Sequence, residues 1–280
     1  MKISVVLSRR ALAGLVALAV ALAAAFVIAP RTLAATGSVG FADRRSLVDA
    51  LREAFVGYWS VGDGDFPPGL DRVVDYWFRY HVVKASIAAV LLVVLVALGI
   101  LLWKAFLRAG GLGAGRRTAL ASGGVLVTML ALFSLATVMA NVQGAAAPFA
   151  SLLPMLTAGA TDAELADTLG QVRQRLADSP QAGGQTPPAL AAMVSDFSRY
   201  HLAMAVIAAI VAALLIGMSV VLWKRFARRG SPDRRTRRVL TSFVALSALL
   251  SLAVIFVGAV NTATAADPAP ALLAFFEGGW

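Results

Sequence analysis

The chain has no cysteine among its 280 residues, which excludes disulfides, thiolate metal sites and cysteine nucleophiles together. Histidine is almost as scarce, with only His81 and His201. Charged residues make up 14% of the sequence against 59% hydrophobic, far from the balance of a soluble globular domain. No phosphate loop, no serine–histidine–acid arrangement and no paired carboxylates in an apolar stretch occur. A catalytic site therefore has little to be built from, and the chain reads as non-enzymatic, without a metal centre.

What is present is apolar and long. Mean hydropathy is +0.79, and five runs approach the roughly 20 residues that a helix needs to cross a bilayer. They cover 11–29, 82–103, 119–140, 202–223 and 239–260, and contain no acid, no proline and one charged residue, Lys84, within a turn of its span's end. Such a side chain snorkels toward the surface. A transport pathway usually needs intramembrane ionisable groups or broken helices, so these spans support one poorly.

The spans are organised by a duplication. Arg79-Tyr80-His81 and the run to Trp103-Lys104 return as Arg199-Tyr200-His201 and the run to Trp223-Lys224, an offset of 120 without a gap. The register continues to Asn141 and Asn261. Two spans separate the copies, so both run in the same direction and the repeat is parallel. On this phase the fifth span opens a further copy, continued by 261–280.

Charge sets the orientation. With the amino terminus (1–10) inside, the cytoplasmic segments are completed by 104–118 and 224–238, and together hold fifteen basic residues against the single acid Asp233. The other side, 30–81, 141–201 and 261–280, carries a small acidic excess. This is the positive-inside pattern, with the carboxy terminus outside a bacterial plasma membrane. It accounts for the formal charge of +10 through topology and anionic lipid, leaving no need for nucleic acid. Ser8-Arg9-Arg10-Ala11-Leu12 resembles the start of a twin-arginine export signal, with Leu33-Ala34-Ala35 as a weak cleavage site. Arg-Arg recurs before later spans at 116–117 and 237–238, however, which favours a cytoplasmic helix flank.

Each outer segment begins with an amphipathic helix. In the first, Asp43 is a natural N-cap, and Leu47, Val48, Leu51, Phe55 and Tyr58 share a face. In the second, Thr161 and Glu164 form a capping box before Leu165, Leu169, Val172 and Leu176. Pro67-Pro68 and Pro187-Pro188 then open the long helices that enter the membrane. Asp63-Gly64-Asp65 reads as a plain loop, because the other ligands of a calcium loop do not follow. The tail ends in the apolar stretch Ala271 to Phe276, which needs a leaflet, the bundle or a partner to cover it.

The fold expected is thus all-α: five spans from a parallel internal repeat and two extracytoplasmic helical segments. Candidate sites are few. Arg79, Tyr80, Arg199 and Tyr200 on one side and Trp103, Lys104, Trp223 and Lys224 on the other read as membrane-interface anchors. His81 and His201, at matching points of the repeat, are also candidate haem ligands, although no cofactor is the favoured expectation. Asn141 and Asn261 read as structural, capping carbonyls or bonding across a helix interface. Tyr58, Trp59 and Phe66, unmatched in the second copy, form a candidate partner-binding patch. The function expected is scaffolding or regulation of a membrane or envelope protein through the outer helices; the alternatives are a channel or transporter-like pathway and a haem-binding electron carrier.

Overall fold

The structure, a computed structural model, describes residues 9–36, 40–109, 113–159, 162–178, 186–228 and 234–279. Among these it is all-helical: α1 (Arg9–Ala34), α2 (Arg44–Val61), α3 (Pro68–Arg108), α4 (Ala114–Ala146), α5 (Pro148–Thr157), α6 (Ala163–Asp178), α7 (Pro188–Arg228), α8 (Arg234–Ala266) and α9 (Pro268–Phe276). Five of these helices, α1, α3, α4, α7 and α8, are long and apolar enough to cross a membrane, making this a multi-pass membrane protein.

Local chemistry sets the boundaries. The Asp43 carboxylate accepts from Ser46 N at 2.8 Å, and Ser46 Oγ accepts from Asp43 N at 3.1 Å, so α2 starts in a closed capping box. It stops at Gly62, whose φ of 73° is the left-handed geometry that lets its N–H return to Tyr58 O. Proline opens α3 and α7 at a position where a missing N–H costs nothing. The cap of α6 comes from Asp162, whose Oδ1 accepts from Leu165 N at 2.8 Å. Thr161, expected in that role, lies outside the described residues. The long helices overrun the expected spans: α3 and α7 are 41 residues each and α4 and α8 are 33 each. About four turns of α3 and of α7 thus precede the expected spans at 82 and 202.

In the membrane, α3 pairs with α4 and α7 with α8 as two hairpins, α1 lies along α3, and α4 meets α7. Beyond the spans, α2, α5, α6 and α9 pack around the first turns of α3 and α7 to form a helical cap. The densest packing is there. All twelve of the largest fully buried side chains belong to the cap, including Phe55 and Tyr58 of α2, Phe149 of α5, Leu165 of α6 and Leu272 of α9. Burying each is worth about 1.5–3 kcal/mol. The spans instead present Phe133 and Phe256, 71% and 70% exposed, to surroundings that suit lipid.

Helices α5 and α9 were not anticipated as separate elements. Each begins at a proline that ends the preceding helix. Helix α5 lies between the hairpins, against α2, α3, α4 and α7, and is the central piece of the cap. Helix α9 settles where the apolar tail goes: Leu272 and Phe276 join the cap core, on the bundle rather than free.

Candidate functional site

Each histidine is tied into its own helix hairpin. His81 Nδ1 is 3.0 Å from Asn141 Oδ1, joining α3 to α4, and His201 Nδ1 is 2.8 Å from Asn261 Oδ1, joining α7 to α8. Each asparagine donates Nδ2 to its own helix, to Thr137 O and Val257 O, both at 2.8 Å. That leaves Oδ1 to accept and assigns the proton to each histidine Nδ1. Because α4 and α5 lie between α3 and α7, the histidines belong to separate helix pairs. Among the described residues no group of three or more His, Cys, Asp and Glu could hold a metal ion.

Of the expected patch Tyr58, Trp59 and Phe66, Tyr58 is buried, and Trp59 and Phe66 are half-buried against the cap core. Tyr58 is fully buried and donates its hydroxyl to Ala189 O at 3.0 Å, tying α2 to the start of α7. Burial pushes its phenol up to about 12. Trp59 donates Nε1 to Gln171 Oε1 at 3.0 Å, and the Phe66 ring packs on Tyr58 and Phe149. The missing signal was the other half of each contact, on α5, α6 and α7.

The expected anchors divide into different roles. Arg79 pairs with Asp75 and donates to Thr36 O at 3.0 Å, fastening the end of α1 to α3. Tyr80 stacks on Trp77 at 4.9 Å, Tyr200 O accepts from Gln143 Nε2 at 3.2 Å, and Arg199 reaches Asp196 at 3.3 Å. Trp103 tucks against Gly124 and bonds Thr128 Oγ1 at 3.2 Å. Its counterpart Trp223 is 60% exposed, and Val244 stands where Gly124 would be. Lys104 and Lys224 are exposed.

Sequence reasoning missed one buried acid. The Asp196 carboxylate is 8% exposed and accepts from Ala150 N at 2.8 Å, in the first turn of α5. A carboxylate there caps the helix from another element and meets its positive end.

Two recesses lie against α2. A cavity of about 380 Å³ lies where α1, α2, α3 and α5 converge, with Arg31, Arg44 and Lys84 around it and Tyr76, Trp77 and Tyr80 along its wall. A groove of about 670 Å³ between α2 and α6 carries Asp49, Glu53, Asp162 and Glu164. Arg52, also there, reaches Ala158 O at 2.5 Å. No family description, curated protein or solved structure matches this chain.

Proposed function

We propose that this chain is a non-enzymatic, multi-pass protein of a bacterial plasma membrane that scaffolds or regulates a membrane or envelope partner through its helical cap. The amino terminus is cytoplasmic and the cap extracytoplasmic, a reading supported by the basic segments flanking the opposite helix ends. The parallel duplication is supported by helices of equal length beginning 120 positions apart, α3 with α7 and α4 with α8, and by the recurring His–Asn bond.

The observation that carries the functional reading is where the chain invests its packing: every one of the largest fully buried side chains supports the cap. Rigid elements that position a surface are what a binding scaffold needs. The surface they position is the α2–α6 groove, whose four carboxylates suit a basic partner segment. A shared haem has less support, since the two histidines belong to different helix hairpins and no third metal-ligating residue joins either of them among the described residues. A conducting pathway has less support too, because Lys84 is the one charged residue in the expected spans.

The test is purification from native membranes in mild detergent, with mass spectrometry and an absorption spectrum of the same sample. The expected result is a stoichiometric partner without a chromophore, released by Asp49→Lys with Glu53→Lys while the variant still inserts. A partner retained by that variant, or no partner, would overturn the reading. A Soret band lost in His81→Ala would move it to haem.

A further inference from the structure

We propose that the cavity bounded by α1, α2, α3 and α5 binds the phosphate of an anionic phospholipid headgroup from the leaflet on the cap side. This inference is independent of any protein partner.

The first ground is electrostatic. Arg31, Arg44 and Lys84 bring three positive charges to one recess, and the single acid lining it, Asp43, is already committed to the N-terminus of α2. Among the described residues the acid–base pairs are Arg79 with Asp75 and Arg199 with Asp196, so none of the three cavity cations is neutralised by a carboxylate. Lys84 is half-buried, its Nζ 4.5 Å from the Phe26 ring centre and 5.2 Å from that of Tyr80. Aromatic faces ease the desolvation of an ammonium without removing its charge. A cluster of cations without a counter-ion at a membrane surface calls for an anion.

The second ground is position. Arg31 follows the expected end of the first span by two residues, and Lys84 lies within the first turn of the second. The Lys84–Phe26 contact puts the two helices in register at that level, which is the headgroup layer of a bilayer that both helices cross. The aromatic wall formed by Tyr76, Trp77 and Tyr80 is of the kind found at that depth. The cavity of about 380 Å³ falls within the roughly 300–1,000 Å³ of small-molecule sites.

The third ground is the second copy. At the positions matching Tyr76, Trp77 and Lys84 it has Asp196, Phe197 and Met204. The same helix geometry is therefore built without the lysine, so the lone charge among the five spans is dispensable for folding and available for a ligand.

The experiment uses the full-length chain in nanodiscs of phosphatidylcholine with or without phosphatidylglycerol, followed by native mass spectrometry of released protein. Wild type is expected to retain one phosphatidylglycerol, and Lys84→Met with Arg44→Gln to lower that retention at least tenfold. Lys84→Met alone imports the residue of position 204, so it should keep wild-type helicity and elution and still lose most of the lipid. Arg175→Gln, a cation of α6 away from the cavity, should retain it. Equal retention of phosphatidylcholine and phosphatidylglycerol by wild type, or retention unchanged in the double variant, would overturn the proposal. Inorganic phosphate is added as a second arm in lipid-free detergent. If it raises the melting temperature of wild type but not of Lys84→Met by as much as phosphatidylglycerol does, the lipid assignment falls and the site belongs to a free anion.

Discussion

His81 donates its Nδ1 proton to Asn141 Oδ1 across 3.0 Å, and Asn141 fixes that direction itself, because its Nδ2 already donates to Thr137 O. The other ring nitrogen, Nε2, is buried without a hydrogen-bond partner and carries the lone pair of the neutral tautomer. Asn141→Ala strands the Nδ1–H, at a cost of about 1–3 kcal/mol. Because His81→Ala removes the same bond, the double variant should cost less than the two singles summed, by about 0.6–1.7 kcal/mol. Thermal melts in one detergent check this, and strict additivity would mean that the bond is energetically idle.

Glycine supplies the space for two of these rings. A Cβ at position 144 would lie 2.6 Å from His81 Cε1, and one at 124 would lie 2.9 Å from the Trp103 ring. Alanine is normally better than glycine in a helix by about 1 kcal/mol. Gly144→Ala and Gly124→Ala should nevertheless lower the melting temperature, while Gly57→Ala, with nothing within 4 Å, should raise it. A uniform rise in all three would show that the rings move aside freely.

Tyr58 predicts an alkaline limit for the cap. Its phenol ionises near 10 in an unfolded chain and at about 12 here. Between those values the unfolded state releases a proton that the folded state keeps, so stability present below pH 10 is lost as pH rises toward 12. The loss is on the order of 2–3 kcal/mol. Tyr58→Phe should cost about 0.5–1.5 kcal/mol at neutral pH, through the bond to Ala189 O. It should also flatten the alkaline decline; an identical decline in both proteins would assign it elsewhere.

Asp196 links the two halves of the cap through Ala150 N. Asp196→Ala leaves a buried N–H at the start of α5 without an acceptor and should cost about 1–3 kcal/mol. Asp196→Asn keeps an oxygen there and should cost less, losing chiefly the charge that favours a helix N-terminus. Urea midpoints of the two variants decide this, and equal midpoints would show that the carboxylate oxygen makes no difference.

Much of this architecture is legible in the sequence because it depends on long-range averages. Five apolar runs of about 20 residues register regardless of their partners, and Asp43, Pro68 and Pro188 mark helix starts through local chemistry. The features that escaped depend on contacts between distant residues. Helix α5 is ten residues with an internal Pro154, too short to read as a span and without polar alternation to read as a surface helix. Tyr58, Trp59 and Phe66 looked like an exposed patch because only the fold brings Phe149, Gln171 and Ala189 to them. Arg31 and Arg44, on different helices from Lys84, meet it around one cavity only in the folded chain. The asparagines were legible as structural residues, but their histidine partners, 60 positions away, were not.

The enclosure of α5 also sets an order for biogenesis. Its apolar residues, Phe149, Leu152 and Leu156 among them, are covered in part by α7, and α7 begins about 30 residues later in the chain. At about 5–20 residues per second, the ribosome leaves that surface without its final cover for seconds. The interfacial layer of the membrane is the shelter at hand for a short apolar helix tethered there by α4. A nascent chain arrested before Pro188 is therefore expected to fall to membrane proteases faster than one arrested beyond Arg228. Equal lifetimes would show that the first half is already a finished unit.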